Sequence, residues 1–227
     1  MLRLITDFDG PIIDVSERYY QVYLLCLEKT RRSNQTVQEL SKAEFWRMKR
    51  SRISETQIAI TSGFDDSQVA DFVKLRKQTV HTQPYFQHDT LIPGAMEALL
   101  KVQLAGVDLL VMTMRRVREL DYALKKFDLE RFFPENRRYC LSNDYVKTRD
   151  VEDKPLLMAR ALKELHPASN TWMVGDTEAD IASAKKYNIK VMAVESGIRD
   201  RQSLEFFQPD LIVKDFASSV DLFLKAN

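Results

Sequence analysis

Two aspartates one residue apart, Asp7 and Asp9, close a short apolar run and are followed at once by Gly10 and Pro11. A second acidic group, Gly175-Asp176-Thr177-Glu178-Ala179-Asp180, closes another apolar run near the other end of the chain. Between them lie a hydroxyl after an apolar run, Thr113, and an ammonium before a proline, Lys154. Carboxylates can act as nucleophiles, proton donors or oxygen ligands, and a hydroxyl with an ammonium suits the holding of an anion. Four acids brought together are too costly unless a divalent cation and the lysine offset them, and an all-oxygen donor set suits Mg²⁺. A calcium loop of the EF-hand kind needs Gly at its sixth position and Glu at its twelfth. Counted from Asp7 these are Ile12 and Arg18, so that reading fails.

Each signal has a plainer reading when taken singly. Asp-x-Asp-Gly is short, Thr113 could be an ordinary strand residue, and Lys154 could be a solvated residue at a helix start. Gly175-Asp176-Thr177 could be a turn with a helix cap. Their order, each at the end of an element, is what carries the chemistry.

The elements that must position these groups can be read from the periodicity. Leu2–Thr6 predicts a buried strand, and strands are also predicted over 107–113, 139–142, 171–175, 190–194 and 211–213. Helices are predicted over 96–104, 117–127, 155–165, 178–187 and 220–224, with Lys154-Pro155 opening the third of these. Strands alternating with helices imply α/β architecture, a Rossmann-like parallel sheet core with helices on both faces. In such sheets ligands sit outside the carboxyl ends of the strands, which is where all four signals fall. From Val15 to Asp89 the pattern is helical throughout, with helices predicted over 17–30, 38–49 and 68–79. The expected organisation is therefore a core of residues 1–14 and 90–227 carrying an inserted all-helical cap domain, 15–89.

Composition excludes other classes. The chain has 227 residues, 44% hydrophobic and 30% charged, so it is too apolar for a disordered protein and long enough to bury a large core. Lys and Arg number 34 against 33 Asp and Glu, which leaves no net field to recruit nucleic acid or an anionic membrane. The helical block is mildly basic, with 12 cationic and 9 acidic residues over 16–89, a net of +3. Two cysteines, Cys26 and Cys140, make no disulfide framework. No apolar run approaches a membrane span or a signal peptide, and a cytoplasmic protein is expected.

With these motifs in hand, the sequence resembles the haloacid dehalogenase superfamily of phosphohydrolases, in the subclass with a helical C1 cap, and is phosphoglycolate phosphatase-like. Asp7-Phe8-Asp9-Gly10 matches its first motif, Thr113 its second, Lys154 its third, and Gly175 to Asp180 its fourth. Pro11 stands where that family usually has Thr, and Met114 where Asn or Ser is common. The resemblance implies a Mg²⁺-dependent phosphatase acting on a small phosphate monoester, phosphoglycolate-like or a sugar phosphate. It implies Asp7 as nucleophile and Asp9 as acid–base, the latter with a pKa raised by Asp7 beside it. Thr113, Met114 and Lys154 would hold the phosphoryl group, and Asp7, the Asp9 carbonyl, Asp176 and Asp180 would hold the metal.

Two alternatives remain open on the sequence. One is a phosphomutase of the beta-phosphoglucomutase type, and the other a non-catalytic phosphoacceptor module, against which Asp9 argues because turnover needs a proton donor. Selectivity is expected from the basic segment Arg47–Arg52, with Lys49 and Arg50 singled out to meet a second anionic group on the substrate. The only partner expected is that small anionic substrate, with no nucleic acid or membrane, and the chain as a monomer or weak homodimer. Nothing is assigned to His81, His88 or His166.

Overall fold

The structure is a computed structural model that describes residues 1–226. The chain begins with β1 (Leu2–Thr6), turns through Asp7 to Ile12, and forms a two-residue strand β2 (Ile13–Asp14). Five helices follow: α1 (Ser16–Thr30), α2 (Lys42–Arg50), α3 (Glu55–Thr61), α4 (Asp66–Thr79) and α5 (Gln83–Phe86). The return strand β3 (Thr90–Leu91) pairs antiparallel with β2, Ile13 opposite Leu91, so the two crossings to the helical insertion form one ribbon. That ribbon is absent from the sequence pattern because two-residue strands have no period to read.

The remaining chain alternates α6 (Ala95–Leu104), β4 (Asp108–Arg116), α7 (Val117–Lys126), β5 (Arg138–Leu141), α8 (Asp150–Glu164), β6 (Asn170–Gly175), α9 (Glu178–Lys186), β7 (Lys190–Val194), α10 (Arg201–Phe206), β8 (Leu211–Val213) and α11 (Phe216–Lys225). The six long strands form one parallel sheet in the order β5-β4-β1-β6-β7-β8. This is the Rossmann-like α/β fold expected. β1 lies at the centre, and Thr6 is opposite both Val111 and Val174. The ends of β1, β4 and β6 are therefore neighbours, although the sequence keeps them far apart.

Strand residues alternate between two apolar layers because successive side chains point to opposite faces. Leu4, Val111 and Val174 join one cluster with α6 and α11 residues such as Leu99 and Phe223. Ile5, Leu110, Met112 and Met173 join the other, with Met158 of α8 and Ile181 of α9. Burying both faces explains why these strands read as continuous apolar runs. The insertion has its own core of Val22, Tyr23, Cys26, Phe45, Ile58, Phe64 and Phe72. Its helix starts are fixed locally: Ser41 and Asp65 each form a capping box with Glu44 and Gln68, a device worth about 1 kcal/mol. Asp65 is the cap of α4. Among the described residues no helix is long and apolar enough to cross a membrane.

Two boundaries differ from the expectation in ways that matter for the site. β4 runs past Thr113 to Arg116, with an irregularity in its pairing after Met112, which turns three consecutive residues onto the rim. α8 starts at Asp150, so Lys154 sits one turn inside the helix and Pro155 follows it within the helix. The acidic first turn, with Asp153 bonded to the Thr148 N–H at 2.8 Å, supplies the start that the proline was expected to mark.

Candidate active site

The turn after β1 is closed by backbone hydrogen bonds. Gly10 donates to the Ile13 carbonyl at 2.8 Å, and Ile12 and Ile13 both donate to the Phe8 carbonyl. Pro11 occupies a place where no donor is required, so its missing N–H costs nothing there. Asp7 is buried at the strand end; its backbone N–H donates to the Val174 carbonyl at 2.8 Å and its Oδ1 accepts from the Phe8 N–H at 2.6 Å. Lys154 Nζ lies 2.7 Å from Asp7 Oδ2 and 2.5 Å from Asp180 Oδ1. Asp180 is held in turn by the Thr177 N–H and hydroxyl at 3.0 and 2.7 Å.

Asp7, Asp176 and Asp180 bring carboxylate oxygens within 4.8 Å of one another, all three residues buried. Burial first, and then the neighbouring aspartates, push the Asp7 carboxyl well above its ordinary range, against the pull of Lys154. Asp176 is raised to about 7 by burial and by Asp180. Lys154 is raised as well: burial opposes its charge, but Asp180 and Asp7 outweigh that. Deleting this ammonium would leave two buried carboxylates without their counter-ion, a loss of about 3–5 kcal/mol.

Three acids against one lysine leave two formal negative charges uncompensated, which fits a divalent cation held by oxygen ligands. Space is reserved for these carboxylates. A Cβ on Gly10, which has φ +92°, or on Gly197 would run into the Asp176 side chain, and one on Gly175 into Asp180. The Ile198 N–H donates to Asp176 Oδ2 at 2.7 Å and Ser196 Oγ to the Gly10 carbonyl at 2.7 Å. The loop after β7 is thus part of the site, although no motif in the sequence marks it.

Above this floor is a cavity of about 250 Å³ lined by Asp7, Asp9, Thr113, Met114, Lys154 and Asp176, with Tyr19, Lys49, Arg76 and His81 of the insertion side facing them. Thr113 Oγ1 accepts the Arg115 N–H at 3.2 Å, which leaves its own proton free to donate. Lys49 and Arg76 share one acid, Glu55; Arg76 Nε is 3.0 Å from it and Lys49 also pairs with it. Both cations lie against the Tyr19 ring, at 5.9 and 4.9 Å from its centroid. Arg50 does not line the cavity. Its guanidinium donates to the Glu195 and Arg199 carbonyls, at 2.7 and 3.2 Å, and ties the end of α2 to the sheet side.

Asp9 requires a correction. The sequence placed it beside Asp7 with a raised pKa, whereas its carboxylate turns to two arginines. Arg115 Nε and Nη2 reach Oδ1 at 2.9 and 2.6 Å, and Arg18 Nη2 reaches Oδ2 at 3.2 Å. Burial pushes Asp9 up, but Arg115 and then Arg18 outweigh it and bring the carboxyl down to about 2. No motif in the sequence assigns a role to Arg115, two residues after Thr113, or to Arg18, in the first turn of a helix.

Fold and rim together define a class: a Rossmann-like α/β protein with buried acidic side chains gathered where its central strands end. The family model described as haloacid dehalogenase-like hydrolase matches residues 4–194, and the chain belongs to that family. Among curated relatives, it is 26% identical over 139 residues to pyrophosphatase PpaX of Oceanobacillus iheyensis. It is 24% identical over 160 residues to the phosphoglycolate phosphatase of Pseudomonas syringae pv. syringae. These matches cover 60% and 69% of this chain but only 63% and 57% of the relatives' own lengths. A solved structure of a candidate phosphatase from Clostridium difficile superposes with a TM-score of 0.75 at 18% identity, covering 98% of this chain and 99% of that one. The likeness to that structure is one of fold.

Proposed function

We propose that this protein is a Mg²⁺-dependent phosphatase that hydrolyses a small phosphate monoester through an aspartyl-phosphate. The observation that carries this reading is Asp7 at the floor of the cavity, paired with Lys154 and flanked by Asp176, Asp180 and Thr113. In it, residues 15–89 act as a cap over residues 1–14 and 90–227.

Asp7, Asp176 and the Asp9 carbonyl would hold the metal, with Asp180 as ligand or as orienter of a bound water, and the ion would neutralise phosphoryl charge. An Asp7 oxygen attacks phosphorus, and the ester P–O bond breaks with its electron pair on the leaving oxygen, which takes a proton from Asp9. Water then attacks the phosphorus of the acyl phosphate, Asp9 takes that water's proton, and phosphate leaves with Asp7 regenerated. The negative charge of the substrate entering beside Asp9 works against Arg115 and Arg18 and favours the proton that the leaving oxygen needs. Thr113 and Lys154 hold phosphoryl oxygens, with Met114 beside them; most of the task is positioning and charge neutralisation.

Lys49 and Arg76 support a substrate with a second anionic group. They carry one positive charge more than Glu55 removes, and burial draws the Lys49 pKa down, a state that an incoming anion relieves. Phosphoglycolate and pyrophosphate, named for the relatives, both carry such a group, whereas a simple sugar phosphate does not. Two buried free thiols, Cys26 pushed up to about 12 and Cys140 raised, both by burial, support a reducing compartment, the cytoplasm.

The test is phosphate release from p-nitrophenyl phosphate and a panel of metabolite esters, in Mg²⁺ and in EDTA, for wild type and Asp7→Asn. Release that needs Mg²⁺ and is lost in Asp7→Asn is expected. Release from no ester, or a variant that keeps more than about a tenth of the activity, contradicts the reading. Interconversion of hexose phosphates without release would indicate a mutase.

A further inference from the structure

Four charged residues form a group that spans the boundary between the insertion and the sheet. Arg18 comes from the first turn of α1, just after the chain enters the insertion, and Asp89 from the loop before β3, where it returns. Arg115 lies at the end of β4, two residues beyond Thr113, and Asp9 lies in the turn after β1. Arg18 Nε is 3.1 Å from Asp89 Oδ1, and Arg115 Nη2 is 2.6 Å from Asp89 Oδ2. Each arginine also reaches one oxygen of Asp9, so two cations and two anions close a ring.

The side chains of Arg18, Asp89 and Arg115 are 0%, 1% and 1% exposed, while Asp9 keeps 26% and faces the cavity. Aromatic faces fix the guanidinium planes: Arg18 lies 5.0 Å and Arg115 5.3 Å from the Phe86 centroid, and Arg115 lies 5.2 Å from that of Phe8. Nη1 of both arginines is buried and has no hydrogen-bond partner among the described residues, and the Arg18 Nε–Asp89 Oδ1 approach is an ion pair without a hydrogen bond. A group kept only for stability is poorly served by orphaned donors and desolvated charges, for which apolar side chains are an equal or better filling. What the ring does accomplish is directional, since both oxygens of the one member that faces the cavity are held.

We infer that Arg18 and Arg115 are positioning residues for Asp9: they aim its carboxylate into the cavity, and Asp89 holds the two guanidiniums in place, so the proton-transfer group is set jointly by insertion and sheet. This rests on the phosphatase reading and assigns a role to three residues outside its reacting groups. The ring also explains why Asp9 turns from Asp7, its neighbour in sequence.

The test uses leaving-group dependence in the full-length protein with Mg²⁺. p-Nitrophenolate departs with little proton assistance, whereas an alkoxide needs it. The substrates are p-nitrophenyl phosphate and the best alkyl phosphate found in the release panel, and the variants are Arg18→Met, Arg18→Lys, Arg115→Lys and Asp89→Asn, alone and in the Asp9→Asn background. A proton donor is worth about 10²–10⁴-fold, and kcat/KM reports the step in which the leaving group departs, not the later hydrolysis shared by all esters. Misaiming Asp9 should therefore lower kcat/KM for the alkyl ester at least about tenfold more than for the aryl ester. Arg18→Lys should recover part of that loss relative to Arg18→Met, and the selective loss should vanish once Asp9 is Asn. Equal losses on both esters, or full additivity with Asp9→Asn, would overturn the inference and leave the ring a structural one. Thermal melting of each variant accompanies the kinetics. Should the arginine variants fail to fold, Asp89→Asn, which does not touch Asp9, decides by the same ratio. Wild type inactive on both esters would instead sink the phosphatase reading.

Discussion

Mg²⁺ should stabilise this protein much more at alkaline than at acid pH, by an amount that follows from Asp176. Its carboxyl is raised from 3.8 to about 7 in the folded, metal-free site. Between those values the native state keeps a proton that the unfolded chain has lost, so this group's contribution to stability falls as pH rises through the window. Mg²⁺ requires the ionised carboxylate and must displace that proton. At about pH 5.5 the displacement costs roughly 2 kcal/mol, and at about pH 8 almost nothing. The Mg²⁺ increment to unfolding free energy should thus be about 2 kcal/mol larger at the higher pH, or roughly 4–8 °C in Tm for a chain of this size. Asp7, raised in the same direction, adds to the difference. His81 works the other way in the metal-free protein, because burial and Arg18 hold it neutral well below its usual range, but it stands outside the cluster and cancels from the increment. The assay is thermal or urea unfolding at both pH values with Mg²⁺ or EDTA, and Asp176→Asn as the control that should lose the increment. An increment equal at the two pH values would refute a proton-linked carboxylate site.

Three further outcomes follow. Gly197→Ala places a methyl group where the Asp176 carboxylate lies, so Mg²⁺ affinity, read by titration against activity, should weaken by about tenfold or more while the fold persists; unchanged affinity would mean that the loop moves aside freely. Neutralising Lys49 and Arg76 together should lower kcat/KM for phosphoglycolate relative to p-nitrophenyl phosphate by roughly ten- to a hundred-fold, whereas Arg50→Ala should leave that ratio alone and lower the melting temperature. Ca²⁺ should inhibit in place of Mg²⁺, since its larger and looser shell misplaces Asp7, and equal rates with both ions would count against in-line attack.

Most of the fold was legible because both sheet faces are buried, which left six short, mainly apolar runs at Leu2–Thr6 and its partners. The acids and Thr113 were legible because each follows such a run. What stayed hidden depends on contacts between distant segments. Nothing local marks Arg18 as buried, since an arginine in a first helical turn is ordinarily solvated; only the return of Asp89 beside it and Arg115 beneath makes it a core residue. The same reason defeats Lys49 against Arg50: they are adjacent in sequence, yet the turn of α2 sends one to the cavity and the other to Glu195. The raised pKa expected for Asp9 came from sequence proximity to Asp7, and the side chain's actual neighbours reversed its sign.

The most direct test of the central claim is to find where the phosphoryl group resides during turnover. Protein quenched while hydrolysing its best ester can be treated with borohydride, which reduces an aspartyl-phosphate to homoserine, and the modified residue located by peptide mass spectrometry. Homoserine at position 7, absent without substrate and absent in Asp7→Asn, is the expected result. Homoserine at Asp9, Asp176 or Asp180, or none at any position while phosphate is released, would contradict Asp7 as the nucleophile.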